Sequence, residues 1–232
     1  MTGHACSSAV TAPRPSIVVI PALNEEATIA QIVLEVRAQG LPVIVVNDAS
    51  DDHTSRNARD SGAIVLDLPC RLGAWGATQA GMLQALRGGY GNIVTLDGDG
   101  QHPPGDIIHL LAPLRSGSAD IVIGSCLGRG SPARHMAWKL FQFLSDLALS
   151  DITSGFRAYS LPAARAMLCA EATLADYQDL GILLLARRRN FRMLEVPVTM
   201  CPRAVGKSHI FPSWLKVARY MIYTTTIACT RR

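Results

Sequence analysis

The sequence predicts a single α/β domain with a mostly parallel central sheet flanked by helices, and three observations predict it. Short apolar, β-branched runs recur along the chain, each followed by a segment of helical periodicity. The runs are almost wholly apolar, as strands covered on both faces must be. The chain has 232 residues, enough for one well-packed α/β domain and too few for two comfortable ones.

The elements follow in order. Ser16–Ile20 reads as the first strand and leads into a helix over Glu25–Gln39, with Ile29, Ile32, Val33 and Val36 facing inward. Asn24 stands where an N-cap belongs, and Gly40 closes the helix. Val43–Val46 is the second strand, followed by a polar helix over Asp52–Ser61. Ala63–Leu66 and a helix over Ala74–Leu86 come next, then a fourth strand at Asn92–Leu96. Pro103-Pro104 opens the helix after it, where a missing amide hydrogen costs nothing. Asp120–Gly124 is the fifth strand. Beyond it the pattern changes to a large apolar helix over Pro132–Ser150, a short strand at Phe156–Ser160, a helix over Asp176–Arg189 and a last strand at Arg192–Thr199. Residues 1–15 form a flexible, small and polar N-terminal segment, residues 16–210 the folded domain, and residues 211–232 an amphipathic C-terminal helix.

Hydrophobic residues make up 49% and charged residues 17% of the chain, with a mean hydropathy of +0.21. That is apolar for a soluble domain, so either the core is large or some apolar surface faces lipid. A net charge of +4 suits an anionic partner such as a nucleotide, a lipid phosphate or a membrane surface. It is too small an excess to argue for nucleic acid, and none is expected. The six cysteines are scattered without metal-ligand spacing, so reduced thiols are expected. The N-terminal segment holds no apolar run of signal-peptide type, and no window reaches the ~18 apolar residues of a spanning helix. The longest candidate, Trp214–Thr230, is broken by Lys216 and Arg219. Its Trp214, Tyr220 and Tyr223, beside Lys216, Arg219, Arg231 and Arg232, suit a helix lying in the membrane interface. Packing back on the domain, or covering by a membrane partner protein, are the other readings of that helix. A cytoplasmic protein, peripheral at the inner face of the cell membrane, is the expectation.

In open α/β sheets ligands sit at the carboxyl ends of the strands. Asn24-Glu25 follows the first strand, Asn47-Asp48 ends the second, and Asp97-Gly98-Asp99 ends the fourth. Asp97 and Asp99, on the exit of a buried strand, are costly unless a cation neutralises them. A hard ion such as Mg²⁺ or Mn²⁺ takes oxygen ligands and commonly bridges carboxylates to substrate phosphates. A solvated Asp-Gly turn is the plainer reading of the same residues. A dinucleotide fingerprint is missing: the first strand runs into Pro21-Ala22-Leu23-Asn24-Glu25, and Gly73-Ala74-Trp75-Gly76 follows the third.

Six ordered segments carry a family resemblance. They are Ile20–Glu26, Val46–Asp52, Leu72–Ala77, Asp97–Pro104, Asp151–Arg157, and Glu195–Val198 with Arg203–Ser208. Together they resemble the family 2, GT-A-fold glycosyltransferases, most closely the dolichyl- and polyprenyl-phosphate mannosyl- or glucosyltransferase branch, over about Ser16 to Ser208. The resemblance implies an inverting transfer of a hexose from GDP-mannose or UDP-glucose to a polyprenyl-phosphate lipid. Pro21, Leu23 and Glu25 would line the nucleoside pocket, Glu25 at the ribose and Asp48 at the base edge. Asp97, Asp99 and Gln101 would hold the Mg²⁺ or Mn²⁺ and the diphosphate. Asp99 and Asp151 are the implied catalytic carboxylates, Asp151 on the acceptor side. Arg157, Arg203 and Lys207 would contact phosphate, and His102 would orient the metal loop.

Plainer roles exist for each: Glu25 at a helix dipole, Asp48 in an Asx turn, Asp151 capping a turn, Arg203 and Lys207 as solvated charges. Trp75 and Trp138 read as packing or lipid-facing residues. The chain departs from the family pattern at Asn47, Arg71 and Cys126, where an acid, an asparagine and an arginine are usual. Transfer to a saccharide or protein hydroxyl, or a degenerate member that binds without turnover, are the alternative functions.

Overall fold

The computed structural model describes residues 15–126, 149–173 and 180–201. Seven strands form one sheet: β1 (Ser16–Ala22), β2 (Val43–Asn47), β3 (Ile64–Asp67), β4 (Asn92–Thr95), β5 (Ile121–Ser125), β6 (Arg157–Ser160) and β7 (Met193–Pro197). The helices are α1 (Ile29–Ala38), α2 (Thr54–Asp60), α3 (Gly73–Arg87), α4 (Ile107–Arg115), α5 (Leu161–Ala166), α6 (Ala170–Thr173) and α7 (Leu180–Arg188). The spatial order is β3-β2-β1-β4-β6-β5-β7. Neighbouring strands are parallel, except that β6 runs antiparallel to both β4 and β5.

Alternation along each strand builds two cores. Ile17, Val19, Ile44 and Val46 face one side, against α3 and the buried side of α7. Val18, Ile20, Val43 and Val45 face the other, against α1 and α4. Helix α3 lies close on the sheet because Gly81 has no side chain. A Cβ there would come within 2.4 Å of Val19 Cγ1 and 2.8 Å of Val46 Cγ2. Strand order reverses between β1 and β4, the point at which chains leaving adjacent strands diverge and open a crevice. Pro21 is tolerated inside β1 because pairing with β4 ends at Val19 and Thr95.

Several boundaries differ from expectation. The first helix begins at Ile29, four residues beyond the expected start at Glu25, with Thr28 at its N-cap and no side-chain capping bond. Asn24 is not the cap. It adopts a left-handed conformation (φ 56°), and its Oδ1 accepts the Asp51 amide at 2.9 Å. Gly40 does end the helix, at φ 75°. Pro104 opens a short 3-10 turn, Pro104–Asp106, before α4. Leu149 and Ser150 are not helical, and the rest of the helix expected over 132–150 lies outside the described residues. So do the segment 1–14, Trp138 and the C-terminal helix at 211–232.

Candidate active site

The carboxyl ends of β1, β2 and β4 bring the sequence-expected residues to one edge. After β1 the chain turns through Leu23, Asn24 and Glu25, and this turn is knitted to the one after β2. Ser50 Oγ accepts the Asn24 amide (3.0 Å), Thr54 Oγ1 accepts the Glu25 amide (2.8 Å), and Asp52 Oδ2 accepts the Glu26 amide (3.2 Å). Glu26 Oε2 returns the favour to the His53 amide at 3.0 Å. These bonds fix the turn that carries Glu25 beside the crevice. Burial raises the Asp52 carboxyl, but bonds from the Thr54 hydroxyl and from the Thr54 and Glu26 amides outweigh it and hold the group below the usual range.

Asp48 is buried, 3% exposed, and both its oxygens are engaged. Oδ1 accepts the Leu72 amide at 2.6 Å and Oδ2 the Gly73 amide at 2.9 Å, at the N-terminus of α3. A carboxylate there satisfies orphan amides and meets the positive end of the helix dipole. Asn47, in place of the usual acid, donates from Nδ2 to Asp67 Oδ1 (2.8 Å) and accepts the Ser50 amide on Oδ1 (3.1 Å). Both halves of an amide are used here, and a carboxylate could not donate to Asp67. Burial raises the Asp67 carboxyl, yet bonds from Asn47, Ser55 and Arg59 hold it below the usual range. Arg71 forms an exposed ion pair with Asp51 at 2.6 Å.

Leaving β4, Asp97, Gly98 and Asp99 pass directly against the β1 turn. A Cβ on Gly98 would lie 3.4 Å from both Glu25 Cγ and the Pro21 carbonyl oxygen. Thr28 Oγ1 donates to the Gly98 carbonyl at 2.6 Å, and Asp99 Oδ1 accepts the Gln101 amide at 3.0 Å. Gly100, at φ 74°, makes the turn that allows this. The Gln101 carbonyl accepts the Cys201 amide at 2.8 Å, which ties the loop to the chain beyond β7. His102 is buried, and its ring centroid lies 5.2 Å from that of Phe156.

Across the crevice, residues 150–156 form the third wall. Gly155 lies flat against Asp97: a Cβ there would be 2.5 Å from Oδ2 and 2.7 Å from Oδ1. Thr95 Oγ1 donates to the Gly155 carbonyl at 2.8 Å, fixing the loop to β4. Asp151 is fully buried. Its Oδ1 accepts the Thr153 amide (3.2 Å) and hydroxyl (3.1 Å), and its Oδ2 accepts the Cys126 amide (3.4 Å). Arg157 is also fully buried, and its guanidinium donates to the Ile152 carbonyl at 2.9 Å. It braces the loop from inside the domain, where sequence reasoning expected a phosphate contact. Burial pushes the neighbouring Tyr159 phenol up, with Arg157 drawing it partly back.

Arg203 and Lys207 lie outside the described residues, so the structure brings together Pro21, Leu23, Glu25, Asp48, Asp97, Asp99, Gln101 and Asp151 without them. Trp75 is buried and donates from Nε1 to the Ala172 carbonyl at 2.8 Å, which is packing and not a lipid-facing role. Gly155, Thr95, Thr28 and Glu195 were not singled out from sequence for any role. Each acts through a contact to a residue far away in the chain, and no local pattern marks that.

The donor set suits a hard divalent ion. Asp97, Asp99 and Gln101 offer only oxygen-rich side chains, and the Asp97 carboxylate sits on a surface that Gly155 keeps clear. Among the described residues no group of three or more His, Cys, Asp or Glu is arranged to hold an ion. Mg²⁺ is commonly bound by one or two carboxylates completed by substrate phosphates, which is the arrangement this crevice permits.

Residues 17–167 match the family model described as glycosyl transferase family 2. The polyprenol monophosphomannose synthase of Mycolicibacterium smegmatis is 27% identical, over 89% of this chain and 85% of that protein. The undecaprenyl-phosphate mannosyltransferase of Micrococcus luteus is 33% identical, over 72% of this chain and 74% of that one. Among solved structures, glucosyl-3-phosphoglycerate synthase from Mycobacterium tuberculosis superposes with a TM-score of 0.75 at 23% identity, covering 93% of this chain and 80% of its own. At that identity the likeness bears on the fold alone, a GT-A fold. The same enzyme has also been solved with Mn²⁺ and uridine diphosphate bound.

Proposed function

The chain belongs to glycosyl transferase family 2, and from that we infer that it moves a hexose from GDP-mannose or UDP-glucose to a polyprenyl-phosphate lipid, with inversion at the sugar. The observation that carries this reading is the switch-point crevice, where Glu25, Asp97 and Asp99 meet at the ends of β1 and β4 while Asp151 closes the opposite side. The names of the relatives, two of them mannosyl transfer enzymes for polyprenyl-type phosphates, support the acceptor class.

Pro21, Leu23 and Glu25 line the nucleoside end, with Asp48 ordering the start of α3 against it. Asp97, Asp99 and Gln101 would hold Mg²⁺ or Mn²⁺, which supplies Lewis-acid neutralisation of the charge growing on the departing diphosphate. The acceptor phosphate oxygen forms a bond to the anomeric carbon as the bond from that carbon to the diphosphate breaks, and the nucleoside diphosphate leaves with the electron pair. Such an acceptor is already an anion at neutral pH and needs no base. That fits Asp151, whose two oxygens already take three donors from this chain. Its role is to order the acceptor wall. Transfer to a hydroxyl would instead ask for a positioned base, worth about 10²–10⁴-fold. Arg203 and Lys207 would meet phosphate from the segment beyond Cys201.

No helix of the described residues is long and apolar enough to cross a membrane. The aromatic and basic residues at 211–232 would hold the protein at the cytoplasmic membrane face, where polyprenyl phosphates reside.

The test is transfer from each donor to undecaprenyl phosphate with Mn²⁺, followed by thin-layer separation of the lipid product. Product is expected with one donor, lost in excess chelator and lost in Asp99→Asn with the fold intact. Full turnover in chelator, or product only with a saccharide hydroxyl acceptor, would sink the reading.

A further inference from the structure

The acceptor wall is held by a residue to which no role has been attached. Glu195 lies in β7, in register with Ile123 of β5. Its Oε1 accepts two successive amides, those of Ser150 and Asp151, both at 2.7 Å. Two consecutive backbone amides converging on one anionic oxygen form a nest, and bonds to a charged acceptor are among the strong ones. The bonds fall at the residue whose carboxylate orders the wall. Asp151 in turn accepts the amide of Cys126, the first residue beyond β5.

The loop is also tied by the longer Cys126 bond to Asp151, by Arg157 at the Ile152 carbonyl and, at its far end, by Thr95 at the Gly155 carbonyl. Without Glu195 the turn at 150–151 loses both of these short bonds to β7. Asp151 would keep its own bonds to Thr153, which move with it, and its place against β5 would rest on the long 3.4 Å bond from Cys126.

We propose that Glu195 is a positioning residue for the transfer reaction: its carboxylate oxygen, reaching from β7, sets the Asp151 turn and thereby the acceptor wall. The proposal rests on the reading of Asp151 as the acceptor-side carboxylate. What Glu195 supplies first is an acceptor oxygen at a fixed reach, and its charge strengthens the two bonds that this oxygen accepts. Gln keeps that oxygen, Met keeps the bulk without it, and Asp keeps the charge on a shorter arm.

The experiment measures sugar transfer to undecaprenyl phosphate in Glu195→Met, Glu195→Gln, Glu195→Asp, Asp151→Asn and the Glu195→Met/Asp151→Asn double variant. Nucleoside-diphosphate affinity with Mn²⁺ and thermal midpoints are read alongside. Loss of placement by about an ångström can cost on the order of 10²-fold, so Glu195→Met is expected to lose about ten- to a hundredfold in kcat/KM for the acceptor. Nucleotide affinity should stay within about twofold. Glu195→Gln should recover most of the rate, while Glu195→Asp, which serves alone should the Met variant fail to fold, should not. The double variant should be no slower than Asp151→Asn, because residues acting as a unit are non-additive.

Multiplicative losses, a Gln variant as slow as the Asp variant, or nucleotide affinity falling with the rate would each overturn the proposal. If Asp151→Asn transfers at the wild-type rate, the acceptor-side reading itself is wrong. If Asp151→Asn is slow and Glu195→Met is not, that reading stands and the positioning role alone falls.

Discussion

Gly155→Ala adds a single methyl group to the crevice, and its consequence can be worked from the structure. The new Cβ would sit 2.5 Å and 2.7 Å from the two Asp97 carboxylate oxygens, whereas ordinary contact begins at 3.4 Å. Either the carboxylate retreats by most of an ångström or the loop lifts off β4 and stretches the 2.8 Å bond from Thr95 to the Gly155 carbonyl. Gly155 is not in the left-handed region, so alanine suits its backbone and the effect is purely steric. Overpacking of this kind costs about 1–3 kcal/mol, and in a domain of this size each kcal/mol lowers Tm by about 2–4 °C. The larger effect falls on the reaction, since displacing by about an ångström the carboxylate proposed to hold the metal can cost roughly 10²-fold. Transfer rates titrated with Mn²⁺ are the assay. The variant should show about a hundredfold loss of kcat/KM and require more Mn²⁺ for half-maximal rate. Gly81→Ala is the control: its Cβ would strike Val19 at 2.4 Å, so it should lose stability with an unchanged Mn²⁺ requirement. A Gly155→Ala enzyme with wild-type rate and Mn²⁺ dependence would refute the proposed role of Asp97, as placed by the loop, in holding the metal.

Three further outcomes follow from other contacts. Asp48→Ala leaves the Leu72 and Gly73 amides without their acceptor, so urea unfolding should show a loss of about 1–3 kcal/mol; wild-type stability would return Asp48 to an ordinary turn residue. Asp120 is held below the usual carboxylate range mainly by its bond from Arg192, which joins the starts of β5 and β7. A depressed carboxylate contributes stability above its unfolded value and loses it as pH falls through the folded one. Asp120→Asn should therefore be less stable than wild type at neutral pH, with the difference shrinking in acid below the ordinary aspartate range; a difference independent of pH down to strong acid would contradict this. Full-length protein should co-sediment with anionic liposomes at low salt and less at high salt, each basic residue contributing about 1 kcal/mol. Truncation after Ser208 should abolish this sedimentation and spare donor hydrolysis, and a full-length protein that ignores such liposomes would remove the interfacial role of residues 211–232.

Local sequence determined the strands, most of the helices and the edge on which chemistry would occur. Apolar runs of β-branched residues such as Val43–Val46 can be satisfied only by burial on both faces. With such strands parallel, the polar residues after each one must gather at a common edge. Asp97, Asp99, Glu25 and Asp48 were legible for that reason. The sequence could not show that β6 runs antiparallel between β4 and β5, because pairing partners are chosen by the whole sheet. Nor could it show that Asn24 turns left-handed instead of capping α1, since its bond goes to Asp51 across the loops. Arg157 looked like a phosphate ligand by its type and place in a motif, and only tertiary structure put it under the loop with no exposed surface. Gly155 and Glu195 carry no local signal of their roles: one matters for the atom it lacks beside Asp97, the other for an oxygen that reaches two amides over forty residues away. Periodicity and residue chemistry are properties of short segments and survive in the sequence. Close approach and shared anchoring are properties of segments brought together by folding, and only the folded chain decides them.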